Sequence, residues 1–95
     1  MQAMGLLFGT VALFGVIIRA RQMAWPWPVF LPRLLALGSE LLYFGLYQSP
    51  IAAVGFVIGA VWTVTTWFRD RRANVGPVVE LMELLAWAWM ALALH

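Results

Sequence analysis

Ile51 to Arg72 read IAAVGFVIGAVWTVTTWFRDRR, an apolar run that ends on Arg69, Arg71 and Arg72. At about 1.5 Å per residue the uncharged part, Ile51–Phe68, forms a helix of roughly 27 Å, close to the hydrocarbon thickness of a bilayer. No period-two alternation of the kind a barrel strand needs is visible in it. Working outward, three more runs share this character: Ala3–Ile18, Trp27–Tyr47 and Val78–Leu94. The first of them ends on Arg19 and Arg21. Lipid offers backbone groups no hydrogen-bond partner, so each run is expected to be helical. The first and last runs are near the short limit and leave little room for tilt. The fold class that follows is an all-α integral membrane protein, a three- to four-helix transmembrane bundle forming one domain over residues 1–95.

Composition excludes the alternatives. The chain is 64% hydrophobic and 11% charged, with six Trp and six Phe, so in water it could not cover its own apolar surface. A net charge of +2 does not imply nucleic acid, because the arginines sit at the ends of apolar runs, where they anchor helices and meet anionic lipid. Cysteine is absent, which removes disulfides, thiolate chemistry and Cys-ligated metals. No basic leader precedes the first run, so it reads as a retained helix rather than a cleaved signal.

Charge also sets an expected topology. Arg19 and Arg21, taken as the first loop, and Arg69, Arg71 and Arg72, taken as the third, belong on one side. The N-terminus, the Gln48-Ser49-Pro50 turn and His95 carry no Lys or Arg and belong on the other. By the positive-inside bias the arginine loops are cytoplasmic and both termini outside, in a membrane such as the bacterial inner membrane. Pro26 and Pro28 mark the start of the second helix, with Pro32 a turn deeper and expected to leave that first turn irregular. Pro50 opens the third helix. Gly76-Pro77 opens the fourth, with Glu80 near the positive end of the helix dipole. Trp25, Trp27 and Trp67 read as an inner interfacial belt, Tyr43 and Tyr47 as an outer one. Trp87 and Trp89 point to different sides of the fourth helix, toward lipid.

Few groups can carry chemistry. Glu40 lies within the second helix, at a depth where ionisable residues are rare and functional by default. Arg33 is seven residues earlier, about 10 Å along the axis and too far for a direct pair. Glu80 and Glu83 open the fourth helix at the level of Arg33, and an ion pair from Arg33 to one of them would tie helices two and four together. Two carboxylates at this spacing do not make a di-iron site without a Glu-x-x-His partner helix. His95 reads as a solvated tail rather than a pigment ligand, and no metal or cofactor is expected. Gly5-x3-Gly9 and Gly55-x3-Gly59 permit close helix approach, within the chain or at a homodimer seam. Thr63, Thr65 and Thr66 can bond back to their own helix, and Thr63 and Thr66 could also face a cavity. No catalytic triad, phosphate loop or HExxH is present, so an enzyme is not expected.

Arg21-x3-Trp25-x-Trp27-Pro28, then Leu46-Tyr47, then Phe56 and a third helix ending on Trp67 form an ordered series. The series resembles the PnuC family of nicotinamide riboside transporters over about half the chain. That resemblance implies a SWEET-like three-helix bundle, here a half-size unit with an extra C-terminal helix that dimerises to build a path. The pattern departs from the family at Pro26, at Gln48-Ser49 and at Val64. The leading expectation is therefore a homodimeric half-transporter moving a small polar, ring-bearing solute. In it Trp62 would supply stacking, and Glu40, Tyr43 and Thr63 hydrogen bonds. A small accessory subunit scaffolding a larger respiratory or photosynthetic membrane complex is the second expectation. A phage holin fits size and helix number but lacks the charged C-terminal tail.

Overall fold

The structure, a computed structural model, describes residues 2–46, 48–69 and 76–94, with Gln2 described by its backbone alone. It is all α-helix: α1 (Gln2–Met23), α2 (Trp27–Gly45), α3 (Pro50–Arg69) and α4 (Pro77–Leu94). Tyr47, Asp70, Arg71, Arg72 and His95 lie outside the described residues, and so do the expectations that rest on them.

The first helix runs longer than its apolar stretch. Arg19 and Arg21 belong to the last turns of α1 rather than to a loop, because a helical backbone keeps its hydrogen bonds while long side chains reach outward to a polar boundary. Closure comes at Ala24, whose φ of 50° is left-handed, and the Trp25 N–H donates back to the Ala20 carbonyl at 3.1 Å. That is the six-to-one bond of a helix C-terminal cap. Proline then starts α2: Pro26 is its extended N-cap, and Pro28 falls in the first turn, where a missing N–H leaves no bond unmade. Pro32 sits inside α2 and is buried; the helix is continuous through it, contrary to the irregular first turn expected. At the other end the Leu46 N–H donates to the Leu42 carbonyl and the Gln48 N–H to the Tyr43 carbonyl, each at 2.8 Å. Gly76, at φ 87°, turns the chain into α4, and the Glu80 N–H closes its first turn on the Gly76 carbonyl.

α2 is the centre of the bundle, packing on α3, on α1 and on α4, while α1 also packs on α4. Glycine makes the two tightest seams. A methyl group at Gly59 would strike the Ala36 backbone, and one at Gly5 would enter the Phe44 ring. Gly9 meets Leu41, and Gly55 meets Ser39. Both glycine pairs are thus used within the chain, against α2. The order of these contacts makes α1 and α3 antiparallel to α2. One apolar cluster gathers Ala36, Tyr43, Phe44, Ala52, Phe56 and Met90; a second gathers Ala12, Val16, Leu37 and Ala86.

Large apolar side chains cover the outside, with Ile51 84%, Phe68 76% and Val61 62% exposed. This inverts the pattern of a soluble helix bundle and suits lipid. The long axis is 34 Å, slightly more than a hydrocarbon core of about 30 Å. α1 (from Ala3), α3 and α4 are each long and apolar enough to cross a membrane. α2 is not in that class. Arg33, Ser39, Glu40 and its prolines dilute its hydropathy, and three of its faces are covered by other helices. Two expected belt residues also turn inward. Tyr43 is buried against Phe44, and Trp25 is half-buried beneath Arg33. Trp89 packs edge-on against Phe8 and Trp87 against Phe56, so both rings are partly spent on neighbouring helices rather than on lipid.

Candidate binding site

The polar groups of α2 divide between two sides. Arg33 faces α4, where its Nη1 donates to Glu83 Oε1 in a buried ion pair. Its guanidinium carbon also lies 5.3 Å from the centre of the Trp25 ring, within cation–π range. A charge this enclosed is tolerated because it is paired, and removing one partner would leave the other stranded. Glu83 is not fully used: Oε2 is buried with no hydrogen-bond partner among the described residues.

Glu40 faces the other way. Its carboxylate lies beside Gly9 of α1, it is completely buried, and neither oxygen has a hydrogen-bond partner among the described residues. Gly9 leaves room for the carboxyl group but supplies it with no donor.

α3 and α4 share no extensive backbone seam. They meet edge-on through Phe56 and Trp87, with ring centres 6.3 Å apart. Between them lies a cavity of about 430 Å³, backed by Arg33 of α2. Thr63, Val64, Trp67 and Phe68 form the α3 wall. Glu80, Glu83, Leu84 and Trp87 form the α4 wall. The lining is mostly apolar and aromatic, with the carboxylates and the ion pair gathered at one part of it. Thr63 is held by its own helix, its Oγ1 donating to the Gly59 carbonyl at 2.7 Å, which still leaves its oxygen able to accept.

Of the four residues expected to grip a solute, only Thr63 lines this cavity. Tyr43 is in the apolar core, Glu40 is against α1, and Trp62 is 39% exposed on a different face of α3. Of the groups expected to form an ion pair, Arg33 and Glu83 do so, and both also line the cavity, with Glu80 one turn before. Trp67, Phe68 and Trp87 are the rings that sequence reasoning did not bring to the site. Their signal was present. Glu80, Glu83, Leu84 and Trp87 have the i, i+3, i+4, i+7 spacing of one helix face, and Thr63 and Trp67, like Val64 and Phe68, are one turn apart. Among the described residues no group of three metal-ligating side chains comes together.

Comparison with known protein families, curated proteins and solved structures finds no match to this chain.

Proposed function

We propose that this chain is a half-size membrane carrier for a small ring-bearing solute, working as a homodimer of the PnuC or SWEET-like kind. The observation that carries the reading is the cleft between α3 and α4. It offers aromatic walls for a flat ring and a polar corner for a hydrogen-bonding substituent, and the volume suits a small molecule. One bundle closes it on three sides only; a second copy would complete a path across the membrane. Transport would then proceed by alternating access or facilitated diffusion, with α3 held on α2 by its glycine seam and the Arg33–Glu83 pair tying α2 to α4. The arginine-bearing ends would face the cytoplasm and both termini the outside, in a bacterial inner membrane.

Uptake of ring-bearing solutes into proteoliposomes tests this reading, alongside quenching of tryptophan fluorescence on binding. Saturable uptake that is lost in Trp87→Leu and retained in Trp62→Leu would support it. No saturable binding or uptake would remove it. The accessory-subunit reading draws on the broad apolar flank of α3, where Ile51, Val61 and Phe68 stand outward. Native mass spectrometry after mild extraction separates the two: a homodimer supports the carrier, and co-migration with larger subunits at fixed stoichiometry supports the scaffold.

A further inference from the structure

Among the described residues, the α3–α4 cleft is lined by two carboxylates, Glu80 and Glu83, and one guanidinium, Arg33. The guanidinium is already committed, bonded to Glu83 Oε1 and seated over Trp25. Glu83 keeps unused capacity: its side chain is 5% exposed, and Oε2 has no partner among the described residues. A buried acceptor of this kind is costly until a donor reaches it. The rest of the wall is dominated by Trp67, Phe68, Trp87, Leu84 and Val64. Aromatic faces attract cations, while the Trp87 Nε1–H, without a hydrogen-bond partner among the described residues, is a donor belonging to the same wall. A solute bristling with hydroxyls would find few partners here and would lose its hydration for little return.

We infer that the cleft takes an amphiphilic organic cation: a protonated amine on an apolar, ring-bearing body, its N–H donated to Glu83 Oε2 with Glu80 as the second carboxylate. The inference rests on the cleft being the binding site and names the chemistry that it selects. An ammonium of this kind has two sources, a free amine or the headgroup of an amino-phospholipid.

The experiment titrates three molecules of nearly one shape into the full chain in a non-ionic maltoside detergent, by calorimetry. They are 2-phenylethylamine, cationic at neutral pH, the neutral hydrogen-bonding 2-phenylethanol, and propylbenzene. The amine is expected to bind about tenfold tighter than either neutral probe, the scale of one charge-assisted hydrogen bond plus a cation–π contact. That preference should fall in Glu80→Gln, which removes the second carboxylate and leaves Glu83 and its pair with Arg33 in place. Trp67→Leu, at a half-exposed position, should weaken all three probes while leaving the chain folded by circular dichroism. Equal affinity for the three probes would overturn the inference while the ring-binding cleft stands. Absence of saturable binding by any of them would remove both. Repeating the titration with phosphatidylethanolamine added assigns the source: competition identifies a lipid headgroup as an occupant, and unchanged affinity identifies the free amine.

Discussion

Glu40 shows how much a single buried group can decide. Both of its oxygens lack a hydrogen-bond partner among the described residues, and no part of the side chain reaches the surface. An unpartnered acceptor in such a place costs stability that an apolar side chain of the same length would not. Glu40→Met is therefore expected to stabilise the isolated bundle by about 1–3 kcal/mol in detergent unfolding followed by circular dichroism. A loss of stability would mean that a partner absent from the single chain, such as a second copy or a bound cation, satisfies the carboxylate. Arg33 and Glu83 behave oppositely, because they are paired. Arg33→Met should cost about 3–5 kcal/mol by stranding Glu83, and the double change Arg33→Met with Glu83→Met should recover most of that loss. Additive losses in the same unfolding assay would show that the pair is not coupled. The sequence placed these residues at one membrane level, and that much was legible. Which of Glu80 and Glu83 would take the guanidinium was not, because one helical turn separates two identical carboxylates and only the packing of α4 on α2 chooses between them.

Among the helices, glycine spacing translates directly into packing distance. Gly59 lets the α3 backbone approach Ala36 of α2, so the neighbour a side chain would strike is main chain, which cannot step aside. Gly59→Ala is expected to destabilise the α2–α3 seam by roughly 2 kcal/mol or more, as overpacking does. Gly38→Ala meets nothing within 4 Å and should be neutral or stabilising by up to about 1 kcal/mol through helix propensity. Comparing the two by thermal unfolding in one detergent checks the seam against propensity alone; equal effects would argue that α3 does not sit where the structure puts it. Number and order of the helices were readable from apolar runs, because a bilayer leaves the backbone no other option. Helix ends were less so. The run Ala3–Ile18 stopped at the first arginine, whereas α1 continues to Met23, since charge marks where side chains leave lipid and not where the backbone stops bonding. The cleft was the least legible feature. Its rings sit at face positions on α3 and α4, but whether those faces meet, or stand apart around a cavity, depends on how both helices lean on α2.

The whole molecule is organised by where charge is permitted. Apart from Arg33, Glu40 and Glu83, the described charged residues gather near one end of the bundle: Arg19 and Arg21 at the close of α1, Arg69 at the close of α3 and Glu80 at the opening of α4. The opposite end carries Leu46, Gln48 and Ser49, none of them charged. A bundle so polarised should insert one way, with the arginine end retained on the cytoplasmic side. The native chain has no cysteine, so any cysteine introduced becomes its single thiol and its accessibility can be read without background. Gln22 and Gln48 are suited to this, being exposed at opposite ends and uncharged, so that replacing them leaves the arginine bias intact. A membrane-impermeant maleimide is expected to label Gln48→Cys in intact cells and Gln22→Cys only after permeabilisation. The reverse pattern would invert the proposed orientation while leaving the bundle unchanged. Labelling of both in intact cells would mean that copies insert in both directions. A homodimer that paired two oppositely inserted copies would be antiparallel, and its two α3–α4 clefts would then lie toward opposite faces of the membrane.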